Sequence, residues 1–358
     1  MSLGIVVRAD DTGLGNQTRE LVKMLKPSKI LIIDSSRFHK GHAQHYEWYK
    51  GKGITTNSIA VSRGFPDNRT LLNFFSGINC VISCETFYSD VFVTLARKKG
   101  VKTILQYNFE FLSYLSESNS ILPDVLLAPT TWRIDEVQES FGTKCLVTYL
   151  PPPTDETLFN NNMNSNKLRT NRLLHVGGKA AIYDRNGTNS VIDMLSHSKG
   201  EYELVIKSQT DLSIDCKDSR LILSVGNEKN FQDLYAGYDA LVLPRRYGGL
   251  CLPMNEALLS GLPVFMTDIS PNNKILPPEW LTPSDFVKNF MAKVLVESYE
   301  VDSKKLAESI DEYFSQSDLS KDKEKAFNIG YNNFSAAELK KKYTDLINSS
   351  TICSYDYP

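Results

Sequence analysis

Short apolar runs recur along the first half of the chain, separated by stretches with helical spacing of their apolar residues. Gly4–Val7, Ile30–Ile33, Cys80–Ser83, Thr103–Gln106 and Val125–Ala128 read as strands, and Gln17–Leu25 and Val91–Lys99 as helices. Strands that alternate with helices imply a parallel sheet covered on both faces. The pattern breaks at Pro151, Pro152 and Pro153, which can continue neither a helix nor a central strand. The asparagines from Asn160 to Asn166 follow in a polar stretch, so residues 151–171 read as a linker. The pattern then restarts. Leu173–Val176, Tyr202–Ile206, Arg220–Val225, Ala240–Leu243 and Pro263–Thr267 read as strands; Thr188–Ser196, Phe231–Gly237 and Asn255–Ser260 as helices; Lys304–Phe314 and Ala336–Ile347 as a helical tail. The expectation is α/β: two Rossmann-like, doubly wound domains at 1–150 and 172–330, with a helical C-terminal tail at 331–358.

Length supports two cores, since 358 residues is long for one. A composition 41% hydrophobic and 23% charged excludes wholesale disorder. A net charge of -2 gives no basic nucleic-acid signature on average, although a local basic face needs none. No apolar run reaches the roughly 18 residues of a membrane span, and Gly4–Val7 runs straight into Arg8, Asp10 and Asp11, unlike a signal peptide. The cysteines at 80, 84, 145, 216, 251 and 353 form no CxxC pair. They read as reduced thiols, and the expected location is cytoplasmic.

Two glycine turns carry candidate chemistry. In the first, the segment Arg8 to Gln17 delivers a strand to Gly13 and Gly15, with Asn16 beside them and a helix just beyond. Glycines admit a ligand close to the backbone, and a helix N-terminus offers unpaired N–H groups, so the turn suits a phosphate or developing anion. In the second, the strand ending at Leu243 leads to Pro244-Arg-Arg-Tyr-Gly-Gly-Leu-Cys251, and Glu256 opens the next helix. A carboxylate there can accept from vicinal ribose hydroxyls.

The segment Leu243 to Val264 resembles the donor-binding segment of the retaining GT-B glycosyltransferases of family four, which include sucrose synthase. That pattern reads P-S-x-x-E-G-F-G-L-P-x-x-E-A, then G-x-P-V, and Pro244, Gly249, Leu252, Pro253, Glu256, Ala257, Gly261, Pro263 and Val264 match it. The resemblance implies a GT-B fold with two domains facing across a cleft, and transfer from a nucleoside-diphosphate sugar with retention. It makes Glu256 the ribose ligand and has Gly248, Gly249, Leu250 and Cys251 line the sugar. Gly178, Lys179, Arg185 and Asn186, which follow the first strand of the second domain, resemble the basic pair and glycines that hold the donor diphosphate. Lys207 can join them. These cations neutralise the leaving group, so neither metal nor cofactor is expected. Arg245 and Arg246 rank lower, their plainer reading being exposed salt bridges. One departure stands out: the first of the family's two glutamates falls on Gly248. A donor with fewer hydroxyls, such as a pentose, would suit that gap.

On the first domain, Gly13, Gly15 and Asn16 are expected near the reacting centre. Glu85, Asn108 and Glu110 lie at strand ends, and Glu110 is the catalytic candidate where relatives carry a histidine. No nucleophile is assigned; a leaving phosphate that helps deprotonate the acceptor needs none. His39, His42 and His45 share a spacing that could bind metal, but read better as solvent-exposed histidines or acceptor contacts. The opening also resembles bacteriophage glycosyltransferases, some of which modify hydroxymethylated pyrimidines. DNA is therefore one candidate acceptor, with Arg8, Arg37, Lys40, Lys50 and Lys52 as its basic face. Phe38, Tyr46, Trp48 and Tyr49 would then line a flipped base. A carbohydrate or small molecule is the other. The rivals are a non-catalytic sugar-nucleotide or glycan binder, and a GT-B epimerase using Glu85 and Glu110.

Overall fold

The computed structural model describes residues 2–37, 43–50, 58–112, 115, 121–178, 184–212, 214–226, 228–291 and 294–349. Phe38, His39, Lys40, His42, Lys52, Lys179 and Cys353 lie outside the described residues. The chain divides into two compact units: residues 1–154 with 336–358, and residues 155–335.

The first unit holds β1 (Leu3–Arg8), α1 (Gly13–Leu25), β2 (Lys29–Asp34), β3 (Ser58–Arg63), α2 (Asn68–Phe75), β4 (Cys80–Cys84), α3 (Phe92–Lys98), β5 (Lys102–Gln106), β6 (Val125–Ala128), α4 (Ile134–Phe141) and β7 (Leu146–Tyr149). Its seven strands are parallel, in the order β3-β2-β1-β4-β5-β6-β7. Successive side chains of a strand take opposite faces. Val6, Leu31 and Val81 accordingly pack with Phe74, Phe75 and Phe92, while Ile5, Val7 and Ile82 pack with Leu21 on the other face.

The second unit opens with α5 (Asn160–Ser165) and continues through β8 (Arg172–Gly178), α6 (Thr188–His197), β9 (Glu203–Ser208), β10 (Leu221–Val225), β11 (Ala240–Leu243), α7 (Leu252–Leu259), β12 (Val264–Thr267) and β13 (Leu281–Thr282). Its six strands run β10-β9-β8-β11-β12-β13. An antiparallel hairpin, β14 (Ser284–Met291) with β15 (Leu295–Val301), precedes α8 (Ser303–Ser315) and α9 (Ser320–Phe334). The last described helix, α10 (Ala336–Asn348), belongs to the first unit.

Two expectations are corrected and one element is new. Residues 155–171 are not a linker: Asn162 donates to the Gln232 carbonyl at 2.7 Å, and Asn166 to the carbonyls of Tyr235 and Ser260 at 3.0 and 2.9 Å. Asn166 Oδ1 also accepts from the Gly237 amide at 2.7 Å. Asn162 and Asn166 satisfy buried backbone, while Asn160, Asn161 and Asn164 face water.

Nor is 331–358 one tail. α10 buries Leu339, Tyr343 and Ile347 on the face of the first sheet that carries Ile5 and Val7. The Tyr343 hydroxyl donates to the Pro151 carbonyl at 3.0 Å and accepts from Gln106 Nε2 at 2.9 Å. Lys102 Nζ donates to the carbonyls of Leu346 and Ser349 at 2.8 and 2.9 Å, a cation on otherwise orphaned helix-end acceptors. Finally, the hairpin has no counterpart in the sequence reading.

Lys323 ties α9 to the second unit's core. Its Nζ donates to the Asn166 carbonyl and, at 2.6 Å, to Asp239 Oδ1, whose side chain is 0% exposed. Lys323→Met strands that carboxylate, and should lower the unfolding free energy by about 3–5 kcal/mol in urea denaturation. Lys325→Met, which breaks the exposed pair with Glu279, should cost less than about 1 kcal/mol.

Candidate functional site

Among the described residues, hydrogen-bonding groups without partners gather where β11 ends. Open parallel sheets bind ligands at the carboxyl ends of their strands. β8 finishes at Gly178, whose carbonyl accepts from Ser208 Oγ at 3.1 Å and from the Gln209 amide at 2.8 Å. Asn186 Nδ2 donates back to the Val176 and Gly177 carbonyls at 3.1 and 3.2 Å, fixing the return of the chain toward α6. Gly187 sits just before α6; a Cβ there would stand 2.3 Å from the Pro244 carbonyl oxygen, so only glycine lets the two loops meet. Asp184 caps α6, accepting from the Thr188 and Asn189 amides at 2.8 and 2.9 Å. Those amides are spent on a carboxylate.

His175 supports this corner from below. It lies fully buried on β8 between the Val242 carbonyl and the Thr188 hydroxyl, both at 2.9 Å. Burial pushes its imidazole down to about 4, so it is neutral at ordinary pH.

The loop after β11 is bound to the loop after β8. The Arg246 amide donates to the Arg185 carbonyl at 3.0 Å, and the Arg185 guanidinium stacks 4.9 Å over the Tyr247 ring. Arg185 Nη2 donates to the Gly248 carbonyl at 2.7 Å. From beneath, Arg245 Nη1 donates to the Leu250 carbonyl at 3.0 Å and, more weakly, to that of Gly249 at 3.4 Å. Arg245 is only 4% exposed and has no carboxylate partner among the described residues. The surface salt bridge expected of it does not form; Arg246 does approach Glu300, at 3.7 Å.

In a trans peptide the N–H points away from the C=O. Three carbonyls drawn toward arginines therefore send the Gly249, Leu250 and Cys251 amides the other way. None of these three amides has a described acceptor. α7 then begins at Leu252, earlier than expected, because Pro253 fits the first turn, where an N–H would have no partner anyway. No side chain caps it.

Glu256 thus stands in the second turn of α7 instead of opening the helix. Its carboxylate accepts from the Tyr235 hydroxyl at 2.5 Å; burial, then the glutamate charge, holds that phenol protonated well above its ordinary range. Asn255 beside it is buried, with neither amide atom partnered among the described residues. Lys207 stands on β9 in an ion pair with Glu228.

The first unit presents a second set. Gly13, Gly15 and Asn16 occupy the first turn of α1, not a loop before it. Thr12 caps this turn, accepting from the Gly15 amide at 3.1 Å. A Cβ on Gly15 would lie 1.9 Å from the Asp10 carbonyl oxygen, so this glycine serves packing. Asp10 itself is buried. Burial alone would raise its carboxyl, but bonds from Ser35 and Thr12 and the charge of Arg8, 2.5 Å away, hold it below the usual range.

Glu85 follows β4 directly, with φ +69, and accepts from Asn108 Nδ2 at 3.2 Å, joining two residues singled out separately in the sequence. Glu110 lies half-buried on the turn Phe109–Phe111. Sequence reasoning missed the neighbours of that turn. Trp132 meets Phe109 edge-on at 5.5 Å, and Arg133 lies 4.3 Å over the Phe109 ring.

The residues proposed for DNA divide. Arg8 is paired with Asp10, and Tyr49 is buried with its hydroxyl on the Arg8 carbonyl at 2.7 Å. Trp48 stacks on His45 at 4.7 Å, and Tyr46 donates to Asp34 at 2.6 Å. His45 bridges Asp11 and Glu47 at 3.0 and 3.1 Å. Among the described residues no group of three histidine, cysteine or acidic side chains could hold a metal ion. No described helix is long and apolar enough to cross a membrane.

Two parallel sheets of these orders have solved counterparts. Anabaena Alr3699/HepE in complex with UDP superposes with a TM-score of 0.68 at 11% identity, over 97% of this chain and 99% of that one. A glycosyltransferase from Rickettsia africae gives 0.65 at 13% identity, with the same coverages. The fold is GT-B. A chain of the GtfA/B complex matches at 0.56 and 14% identity, over 78% of this chain, which spans 59% of that longer protein. No family model matches the sequence, and no match to a curated protein is found.

Because an unfolded imidazole takes up its proton near 6.5 and His175 only near 4, the unfolded state binds more protons between those values. Stability should be full above about 6.5 and fall as pH drops toward 4, by on the order of 3 kcal/mol. Urea melts across this range should show that slope, and His175→Gln should flatten it.

Proposed function

We propose that this chain is a glycosyltransferase that takes its sugar from a nucleoside diphosphate, with retention at the anomeric carbon. The observation that carries the reading is the run of unpartnered amides at Gly249, Leu250 and Cys251 leading into an uncapped helix, with Glu256 one turn on, in a GT-B fold. HepE, of the same fold, is described in complex with UDP and with UDP-glucose. In this reading Glu256, steadied by Tyr235, accepts from the ribose hydroxyls. Arg185 and Lys179 neutralise the diphosphate, with Gly178 and Asn186 next to them in the chain. The Gly248–Cys251 loop lines the sugar.

The bond from the anomeric carbon to the β-phosphate oxygen breaks and its electrons leave with the nucleoside diphosphate. The acceptor oxygen bonds to the same carbon on the same face, and its proton passes to the departing phosphate. Arginine and amide donors meet the charge that develops there, so no divalent ion is required. The Gly13–Asn16 turn and Glu110 are assigned to the acceptor side.

The acceptor we favour is a carbohydrate. Trp132, half-buried and edge-on to Phe109, is an aromatic ring on which a sugar ring could stack. The DNA alternative loses Arg8 to Asp10 and Tyr49 to the core. Likeness to family four rests on the Pro244–Val264 pattern, and a phage origin only on the opening segment.

Two measurements test the reading. Glu256→Ala should weaken UDP-sugar binding by roughly 1.5–3 kcal/mol in calorimetry, the worth of a hydrogen bond to a charged group. Unchanged affinity in the folded variant would refute the ribose role. Donor turnover should persist in EDTA; loss of turnover that manganese or magnesium restores would overturn the metal-free mechanism. A protein that binds donor but neither hydrolyses nor transfers it would be a binding protein instead.

A further inference from the structure

The β14–β15 hairpin reaches the candidate site through the loop after β11. On β15, Val301 joins the second unit's apolar core. Two residues earlier, the Tyr299 amide donates to the Arg246 carbonyl at 2.8 Å, and Arg246 Nε returns a longer bond to the Tyr299 carbonyl at 3.4 Å. On β14, the Phe290 ring meets the Tyr247 ring edge-on, with 5.1 Å between centroids. The hairpin thus holds both residues by backbone and by ring.

Tyr247 is buried and carries Arg185, whose guanidinium lies 4.9 Å over the ring. Arg185 is therefore held in two directions. The bond from its Nη2 to the Gly248 carbonyl, at 2.7 Å, orients the guanidinium within its own plane, and the Tyr247 ring sets its tilt. An aromatic face attracts a cation without consuming its N–H groups, so stacking leaves the planar fork to do the hydrogen bonding. A long side chain fixed in this way loses less freedom when an anion binds it.

We infer that Tyr247 and Phe290 are positioning residues for the donor diphosphate: the hairpin holds the tyrosine, and the tyrosine holds Arg185. This rests on the donor-site reading above, in which Arg185 meets the diphosphate.

The test is a double-mutant cycle on UDP binding, read by calorimetry. Arg185→Met should weaken UDP binding. Tyr247→Leu should weaken it by about tenfold, the worth of a partly desolvated cation–π contact, whereas Tyr247→Phe, which keeps the ring, should bind within about twofold of the unaltered protein. Phe290→Leu, a milder change at a half-buried position, should lower affinity by about threefold. In the Arg185→Met background neither leucine substitution should have a further effect, because the residue both act through is gone. Losses that simply add in that background mark a general structural role and overturn the inference. So does UDP affinity unchanged by Tyr247→Leu or by Phe290→Leu while Arg185→Met weakens it; the donor site stands in either case. UDP affinity unchanged in Arg185→Met removes Arg185 from the donor site, and the inference with it. Failure of the unaltered protein to bind UDP overturns both readings.

Discussion

A peptide group cannot offer its carbonyl and its amide to the same side. The candidate site depends on that constraint. Arg185 and Arg245 take hold of three successive carbonyls, and each peptide's amide is thereby turned away from the arginine that holds its carbonyl. Both arginines are held by other parts of the second unit. Arg185 belongs to a turn fixed by Asn186 and by the contact of Gly187 with Pro244. That turn is in turn fixed to β8 through His175 and Thr188. The sheet thus bears on loop geometry through a short chain of hydrogen bonds among the described residues.

Much of this was legible in the residues. Val125–Ala128 and Ala240–Leu243 form strands at the bounds their apolar runs indicate, because a strand buried on both faces leaves a continuous apolar run. Glu256 and Arg185 stand out in the sequence for their chemistry and their place after a strand; the structure shows only where they sit, Glu256 against the Tyr235 hydroxyl and Arg185 on the Gly248 carbonyl. The structure places Arg185 on the loop, yet Lys207 in a pair with Glu228.

What stayed hidden depends on distant partners. Nothing local says that Asn162 and Asn166 meet backbone about seventy or more positions away, so a buried turn reads as a linker. Arg245 looks like any surface arginine until the carbonyls above it are placed. The start of α1 was misjudged because glycines at 13 and 15 suggest a loop, whereas the Thr12 cap and the close Asp10 carbonyl make them a first helical turn. The β14–β15 hairpin escaped because its outer face, with Phe286 and Met291 exposed, blurs the alternation that marks a half-buried strand.

The return of α10 to the first unit has a consequence for biosynthesis. Domains fold largely as they emerge from the ribosome. Here the first sheet emerges early, but the helix that covers Ile5, Val7 and Ile82 follows only after the whole second unit has been made. Until then the part of that face beside α1 is open, with Gln106 lacking Tyr343 and Lys102 lacking the carbonyls it caps. The nascent first unit therefore carries an apolar surface through most of translation, the kind of surface that general chaperones bind, and its final closure waits on residues 336–348.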